Sequence, residues 1–312
     1  GDAAGGLIRR RAMKDPEIAA LCARLATRER AADTARQRLD FDMLAMLYPT
    51  PDDVTVEPMT ANGVEAEWTS TPDARHDAVV LYVHGGGYVV GSLASHRHMV
   101  AAIGRAAQAR TLALHYRLAP EHPFPAPVED TVAAYRFLLS QGLHPGRIAL
   151  AGDSAGGGLV VAALLAIRDA GLPLPACGWA ISPWVDMEGV GDSITANVVR
   201  DPTVTKAVLV EMAGHYLGGA DPRTPLAAPI YADLAGIAPL LIQVGSVEIL
   251  LDDALRLARV AGMADVPVDL QIWPEAPHVW HLFHPELKAG RRAIEAGGTF
   301  IRSMMAEGAR TG

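Results

Sequence analysis

The sequence predicts an α/β protein with a mostly parallel sheet flanked by helices and with a helical cap. Short, continuously apolar runs alternate with helical stretches along most of the chain, which is typical of such a sheet. A hairpin pattern precedes these runs, and one long interval interrupts them. At 312 residues, the chain is long enough to bury one large core or two modest ones.

The N-terminal stretch 16–48 has no strand-like alternation and predicts two amphipathic helices. Its first half places Ile18, Leu21, Cys22 and Leu25 at helical spacing. We therefore expect one face of the first helix to be buried.

A β-hairpin is predicted next. Pro49 and Pro51 stop the preceding helix, and the segments VTVEPM and VEAEWTS flank the turn pair Asn62-Gly63. This hairpin would supply the antiparallel edge of the sheet.

The remaining strands and helices alternate. Strands are predicted at 78–84, 111–116, 147–153, 239–245 and 268–273, and a further apolar segment, WAISPWVD, ends at 186. Helices are predicted at about 95–109, 127–140, 155–170, 250–264 and 286–305. Because the strand segments are apolar throughout, we expect helices to cover both faces of each strand.

The interval between 186 and 239 contains a predicted helix at 203–217 and is too long for a structureless loop. We interpret it as a cap insertion that forms a lid together with the N-terminal helices. The predicted segments are an N-terminal helical cap segment at 1–52, the first part of the core at 53–186, the insertion at 187–225, and the second part of the core at 226–312. The lid would cover the carboxyl ends of the strands, where such sheets bind ligands.

Composition excludes several classes of function. The formal net charge of −8 and the lack of any basic cluster beyond three arginines at 9–11 argue against a nucleic-acid partner. Cys22 and Cys177 predict buried small side chains instead of a disulfide framework. No run of 18 apolar residues occurs, and the sequence begins without a signal-peptide pattern, so we expect a soluble, cytoplasmic protein with no membrane partner.

The pentapeptide Gly-Asp-Ser-Ala-Gly at 152–156 lies between a strand and a long helix. This is the G-x-S-x-G context in which a sharp turn exposes a nucleophilic serine. Ser154 is therefore the predicted nucleophile. For the pentapeptide alone, a glycine-rich phosphate-binding turn is the alternative.

The segment His84-Gly-Gly-Gly-Tyr88 follows the strand at 78–84 and has the form of an oxyanion-hole loop. We expect the backbone N–H groups of Gly86, Gly87 and Ala155 to bind the oxyanion. His84 is expected to orient this loop, and a plain tight turn is the alternative.

The triad acid should follow the serine, and the histidine should come last. Glu248 lies just beyond the strand at 239–245 and is the predicted acid. Asp252 is the rival, but it falls in the first turn of the next helix, where the helix dipole already explains a carboxylate.

His278 is the predicted general base because it follows the last strand most closely. His281 and His284 are alternatives, expected to lie at a helix start near the cap. In the proline-rich loop around 120–127, Glu121 or Asp130 is expected to hold a neighbouring loop by hydrogen bonds.

Tyr88, Met187, Val208 and Met212 are candidate lining residues of the substrate pocket by their position in the sequence, although core packing would explain each of them. No histidine and cysteine spacing is suited to zinc, and the chemistry needs neither a metal nor an organic cofactor.

The segments HGGGY, YRLAPEHPFPAPVED, GDSAGG and SPWVD together resemble the bacterial hormone-sensitive-lipase-like esterases, a branch of the α/β-hydrolases. The resemblance runs from about residue 55 to the last helix. It implies an eight-stranded sheet with a two-part cap, cofactor-free hydrolysis of short-chain acyl esters, and the roles given above for Ser154, His278 and the oxyanion-hole residues. A homodimer through the last strand and helix is also implied.

The sequence departs from the family's usual pattern at one site residue. Glu248 stands where the family usually has Asp. The segments GSVEILLDD and PHVWH also resemble a subgroup that includes monoterpene lactone hydrolases.

The predicted function, with the substrate class that the resemblance implies, is that of a serine carboxylesterase acting on short-chain acyl esters through an acyl-enzyme. A lactone hydrolase and an amidase or peptidase would use the same triad. A non-catalytic small-ligand-binding protein is the alternative from another class, although such a protein would be expected to lack the nucleophile or the base.

Overall fold

An eight-stranded sheet runs through the part of the chain that the computed structural model describes, which is residues 13–308 without the side chains of 44 and 45. Its strands are β1 (Thr55–Ala61), β2 (Val64–Ser70), β3 (Arg75–Val83), β4 (Ala109–Leu114), β5 (Ile148–Asp153), β6 (Cys177–Ile181), β7 (Leu240–Gly245) and β8 (Val268–Trp273). In space they follow the order β1-β2-β4-β3-β5-β6-β7-β8. The pairs β1/β2 and β2/β4 are antiparallel and the others are parallel, so the predicted sheet is confirmed.

Helices cover both faces of this sheet. They are α1 (Pro16–Leu25), α2 (Thr34–Leu47), α3 (Leu93–Ala107), α4 (Ala126–Ser140), α5 (Ala155–Asp169), α6 (Ser193–Ala196), α7 (Lys206–Leu217), α8 (Leu251–Met263) and α9 (Lys288–Gly308). Along β3, Val79, Leu81 and Val83 pack into the layer of α4, α5 and α8, whereas Val80 and Tyr82 pack into the layer of α1, α3 and α9. The alternation follows from the two-residue period of a strand.

The predicted hairpin is formed by β1 and β2. Asn62 and Gly63 connect them with φ values of 48° and 91°, and Ala61 pairs directly with Val64. Two successive positive φ values define the tight turn for which the Asn-Gly pair is preferred. The local sequence therefore sets the register of this edge.

The last strand differs from the expectation that both faces of each strand are covered. The residues of β5, β6 and β7 are all buried, but β8 lies at the edge of the sheet and its residues are partly buried or exposed. Ile272 is 47% exposed. The expectation was wrong for β8 because this segment contains Asp269 and Gln271 and, within the described part of the chain, pairs with β7 alone.

The two N-terminal helices were both predicted to be amphipathic, and this is confirmed only for α1. Its residues Ile18, Leu21, Cys22 and Leu25 are buried. Helix α2 instead exposes the large apolar side chains of Leu39, Met43, Met46 and Leu47. Polar contacts attach it to the core, since Arg38 donates to the carbonyl oxygens of Val89 and Ala119, so α2 needs no continuous apolar stripe.

The insertion between β6 and β7 contains α6 and α7. The helix predicted at 203–217 begins three residues later, at Lys206, because Thr203 and Val204 donate their backbone N–H groups to the Asp201 carboxylate. The insertion meets the N-terminal segment where the Arg30 guanidinium donates to both Glu211 carboxylate oxygens, at 2.8 and 3.0 Å. The segment boundaries at 52, 186 and 225 stay predictions.

Candidate active site

Ser154 stands at a sharp turn between β5 and α5. It adopts φ 55° and ψ −119°, a strained conformation for a residue with a side chain. Its N–H donates to the carbonyl oxygen of Ile181, and its own carbonyl accepts the N–H groups of Gly158 and Trp184. The neighbouring strand and the helix N-terminus thus hold the turn, and the Ser154 side chain lines a cavity.

Close packing under the turn requires glycine two residues after the serine. A Cβ atom on Gly156 would lie only 2.1 Å from the carbonyl oxygen of Val83, at the end of β3. No larger residue fits there unless the backbone moves. This explains the second glycine of the G-x-S-x-G motif in physical terms.

Glu248 and His278 follow the ends of β7 and β8, and the fold brings both to Ser154. His278 Nε2 lies 2.9 Å from Ser154 Oγ, and His278 Nδ1 lies 2.7 Å from Glu248 Oε2. Because a carboxylate only accepts hydrogen bonds, Nδ1 carries the proton and Nε2 is free to accept from the serine hydroxyl. The three side chains form one continuous hydrogen-bonded chain.

The environment of His278 favours its protonated form. Burial opposes charging of the imidazole, but the hydrogen bond to Glu248 and the negative charge of that carboxylate outweigh burial and raise the His278 pKa above the usual 6.5. The pair is therefore suited to receive a proton from Ser154.

Glu248 is completely buried and well supplied with donors. Its Oε1 accepts the backbone N–H of Gly245 at 2.6 Å and the hydroxyl of Ser182 at 2.8 Å. Ser182 also accepts the N–H of Val279, the residue after His278, at 3.2 Å. Ser182 thus joins the acid to the histidine loop. Sequence reasoning missed it, although the SPWVD segment at the end of β6 was the available signal.

The alternative candidates for the acid, Asp252, and for the base, His281 and His284, make contacts other than those with Ser154. Asp252 accepts the N–H of Ser193 at 2.7 Å and is engaged with the insertion. His281 bonds to Gln243 Oε1 at 2.8 Å, and burial lowers its pKa to about 3. His284 stacks on His98 with ring centroids 5.5 Å apart. The expectation that both histidines lie near the cap was wrong for His281, which packs on the sheet core beside Trp179.

Gly86 and Gly87 line the same cavity as Ser154. Gly86 has φ 114°, and a Cβ there would lie 2.1 Å from the carbonyl oxygen of Val90. His84 holds the start of this loop, since its Nδ1 lies 2.7 Å from Gly85 O, and burial lowers its pKa to about 3. These contacts agree with the expected orienting role of His84.

Asp153 also holds the glycine loop, and sequence reasoning missed it. Its Oδ1 accepts the backbone N–H of Gly85 at 2.9 Å and the hydroxyl of Tyr82 at 2.5 Å. Burial disfavours the carboxylate, yet the charge of neighbouring His96 and its hydrogen bonds lower the Asp153 pKa to about 2. Asp153, the residue directly before Ser154, therefore connects the serine turn to the glycine loop.

The cavity above Ser154 has a volume of about 260 Å³ and lies between the core and both parts of the predicted cap. Its walls include Phe41 from the N-terminal segment, Val208, Leu209 and Met212 from the insertion, and Leu282 after β8.

Only two of the four predicted lining residues lie in this cavity. Val208 and Met212 line it, whereas the predictions for Tyr88 and Met187 were wrong. Tyr88 is 1% exposed, and its ring stacks on Tyr216 at 3.7 Å between centroids. Met187 is also buried in the core. Both side chains pack against other apolar groups instead of the substrate space.

The proline-rich loop is held as predicted. Glu121 accepts from Arg38 of α2 at 2.7 Å, and Asp130 accepts the backbone N–H of Arg117 at 2.8 Å. Both carboxylates therefore have structural contacts outside the cavity.

Metal-binding clusters and membrane spans are both absent from residues 13–308. There, no three His, Cys, Asp or Glu side chains form a group that could hold a metal ion. Over the same residues, no helix combines the length and the apolar character that crossing a bilayer requires.

A buried carboxylate, a histidine and a serine at the ends of parallel strands are the arrangement of serine hydrolases with the α/β-hydrolase fold. Comparison with known proteins agrees. A family described as having the alpha/beta hydrolase fold matches residues 80–282. The chain therefore belongs to the α/β-hydrolase family and, within it, to the bacterial hormone-sensitive-lipase-like esterases.

Several relatives support this assignment. An acetyl-hydrolase from Streptomyces hygroscopicus is 54% identical over 260 residues, covering 83% of this chain and 85% of the relative. An esterase from Acinetobacter venetianus is 30% identical over 265 residues, covering 85% and 87%. The protein is a serine ester hydrolase of the carboxylesterase class.

Solved structures are similar over nearly the whole chain. An esterase of the bacterial hormone-sensitive lipase family superposes with a TM-score of 0.92 at 51% identity, covering 94% of this chain and all of the other. EstE5, in a crystal soaked with p-nitrophenyl butyrate, superposes with a TM-score of 0.91 at 46% identity, covering 94% and 99%.

Proposed function

We propose that this protein hydrolyses short-chain carboxylic esters, with Ser154 as nucleophile, His278 as general base and Glu248 as the acid. The observation that carries the proposal is the hydrogen-bonded chain from Ser154 Oγ through His278 to Glu248, with steps of 2.9 and 2.7 Å, at the base of the cavity.

In the proposed first half-reaction, Ser154 Oγ attacks the ester carbonyl carbon while its proton moves to His278 Nε2. The N–H groups of Gly86, Gly87 and Ala155 stabilise the oxyanion. The bond to the alcohol oxygen then breaks, and the alcohol leaves with the proton from His278. An acyl-enzyme on Ser154 results.

In the second half-reaction, His278 takes a proton from water as the water oxygen attacks the acyl carbon. The bond from that carbon to Ser154 Oγ breaks, and Oγ recovers the proton. Glu248 keeps the Nδ1 proton of His278 in place throughout and stabilises the imidazolium. The products are one carboxylic acid and the resting enzyme.

The size of the cavity supports a preference for short acyl chains. Its volume is about 260 Å³, and bulky side chains such as Phe41, Leu209 and Met212 form part of its wall. The walls are largely apolar, which suits an uncharged ester body. The p-nitrophenyl butyrate soaked into EstE5 crystals indicates a suitable first probe.

The test is hydrolysis of p-nitrophenyl esters from acetate to decanoate, with Ser154→Ala as the control. We expect the fastest turnover on the short esters and a loss of about 10⁶-fold in kcat for the variant. Labelling by a fluorophosphonate, followed by peptide mapping with mass spectrometry, identifies the labelled residue, which should be Ser154. Equal rates on all chain lengths, or labelling at another residue, would contradict the proposal.

The same assay separates the other predicted activities. A p-nitroanilide matched to butyrate tests the amidase alternative, and an aliphatic lactone tests the lactonase alternative. Preferred turnover of either compound over the esters would replace the proposed substrate class. Ligand binding without turnover of any of these compounds would favour a binding protein.

We also propose that the chain forms a homodimer through β8 and α9. The support is the position of β8 at the edge of the sheet formed by residues 13–308, where Ile272 is exposed to solvent. Light scattering behind size exclusion tests this, and a mass of one chain at working concentration would contradict it. The cytoplasmic location stays a prediction.

A further inference from the structure

The insertion contacts the loop that carries Glu248 through three polar side chains. Ser193 Oγ donates to the carbonyl oxygen of Ile249 at 2.6 Å. Asn197 Nδ2 donates to the carbonyl oxygen of Glu248 itself at 2.8 Å. The Asp201 carboxylate accepts the backbone N–H of Ile249 at 2.9 Å. Insertion residues therefore hold the backbone on the C-terminal side of the triad acid.

Asp201 uses its two carboxylate oxygens on two different parts of the site. Its Oδ2 accepts from Ile249, next to the acid. Its Oδ1 accepts the backbone N–H groups of Thr203 and Val204, at 2.9 and 3.0 Å, and both of these residues line the cavity. Asp201 is only 9% exposed. An amide of the same shape has one acceptor oxygen and could hold only one side.

We infer that Asp201 is a positioning residue for ester hydrolysis, joining the cavity wall at Thr203 and Val204 to the loop that places Glu248 against His278. This inference rests on the proposed function of the triad. A substrate that contacts this wall is thereby linked to the orientation of the acid through one buried carboxylate.

The charge of Asp201 also affects His278. The charged and titratable groups that face His278 are Glu248, Asp201, Asp153 and His281. Asp201 adds to the effect of Glu248 in raising the His278 pKa.

Asp201 in turn faces α1. Burial is the main cause that raises the pKa of the Cys22 thiol there to about 11, and the charges of Asp201 and Glu275 add to it. Because Asp201 helps to raise the pKa of His278, removing the Asp201 charge should lower the kinetic pKa that His278 controls, whereas loss of a purely structural residue would leave that pKa in place.

The test compares Asp201→Asn with the wild type on p-nitrophenyl butyrate. We expect kcat to fall roughly 10-fold, since a buried charged acceptor is lost. The acid limb of the kcat/KM profile should also move to lower pH. Asp192→Asn is the matched control because Asp192 is an exposed acid of the same segment, and it should leave both quantities unchanged.

Asp201→Glu separates charge from shape. It restores the carboxylate, so the acid limb should return to its wild-type position even where kcat stays lower. Asp201→Asn with wild-type kcat and acid limb would overturn the inference, as would identical acid limbs for the Asn and Glu variants.

Asp201→Glu decides the matter if Asp201→Asn does not fold, as judged by circular dichroism. The longer side chain keeps the charge but cannot keep both oxygens on Ile249 and on Thr203 and Val204, so kcat should fall several-fold while the acid limb stays in its wild-type position. Wild-type kcat for Asp201→Glu would overturn the inference. Failure of the proposed function looks different, because the wild type itself would then turn over no ester.

Discussion

The floor and the roof of the cavity are held by different kinds of interaction. The floor comprises Ser154, His278, Glu248 and Gly86, and its carboxylate is completely buried with neutral donors on one oxygen and His278 on the other. The roof comprises α2, α7 and the segments next to them. Its parts meet through the Arg30–Glu211 ion pair, whose side chains are 36% and 41% exposed.

This difference follows from the cost of burial. A buried charge must be hydrogen-bonded on all sides, so the groups around it can occupy only one arrangement. An exposed ion pair contributes about 0–1 kcal/mol and can be broken without penalty from desolvation. We therefore expect chemistry to depend steeply on the floor, whereas the exposed ion pair of the roof tolerates change. The same substitution, Glu to Gln, can be made in both.

Among these substitutions, Glu248→Gln in the floor should lower kcat the most. The neutral amide no longer stabilises the imidazolium or selects the productive tautomer of His278, so kcat should fall about 10⁴-fold on p-nitrophenyl butyrate. Fluorophosphonate labelling of Ser154 should slow in parallel. Activity within 10-fold of the wild type would remove Glu248 from the triad.

The pH profile of Glu248→Gln tests whether the Glu248 carboxylate raises the pKa of His278. His278 must be neutral to act as a base, and Glu248 raises its pKa, so wild-type kcat/KM should fall as the pH drops through a value above 6.5. Without the carboxylate the His278 pKa falls, and the acid limb should move to lower pH. An acid limb that stays in place would show that another group controls it.

Gly86→Ala tests the backbone of the floor. The added methyl would lie against the carbonyl oxygen of Val90, and φ 114° strains any larger residue, so the loop must shift. We expect kcat to fall about 10²- to 10³-fold through the loss of an oxyanion donor. Gly63→Ala is the control, because Gly63 also has positive φ but lies in the open hairpin turn. Equal kcat for both variants would contradict an oxyanion role.

Ser182→Ala removes one donor from Glu248 Oε1 and leaves the Gly245 N–H. We expect a loss of roughly 10-fold in kcat with KM little changed, because one buried hydrogen bond to a charged group is lost. Ser140→Ala, at the exposed end of α4, serves as the control. A change confined to KM would place Ser182 in substrate binding instead.

Glu211→Gln in the roof should have the smallest effect. The free energy of unfolding should fall by less than about 1 kcal/mol, and kcat should change less than about 2-fold. The hydrogen bond from Arg30 lowers the Glu211 pKa from its usual 4.5, so the pair stabilises the fold above that pH and is lost on acidification. A loss of kcat comparable to that of Glu248→Gln would contradict the proposed difference between floor and roof.

Local sequence patterns predicted most of the architecture because turns, strands and helices depend mainly on interactions between residues close together in the chain. Asn62-Gly63 specifies its own turn, and the glycines around Ser154 permit a turn that larger residues would block. The order of strand ends brought Ser154, Glu248 and His278 to one edge of the sheet, where the structure places them within hydrogen-bond distance. Their catalytic roles stay predictions until the variants are measured.

Other features depended on neighbours distant in sequence. Tyr88 follows the glycine loop directly, yet its ring turns inward onto Tyr216 of α7, and no local pattern reveals that direction. Ser182 and Asp201 act on Glu248 from a different strand end and from the insertion. The partners of such polar side chains depend on which loops pack together in the folded chain, and local sequence patterns do not show this.

The amino-acid sequence by itself determined the alternation of strands and helices, the hairpin turn, the sharp turn at Ser154 and the order of the candidate catalytic residues. The hydrophobic period and the backbone freedom of glycine are properties of short segments, and the order of residues is read directly from the chain. Only the tertiary structure decided which side chains close the cavity, which donors satisfy Glu248 and how Asp201 joins the cap insertion to the site. Those contacts arise when segments far apart in the chain pack together, and burial then requires each polar group to find a partner.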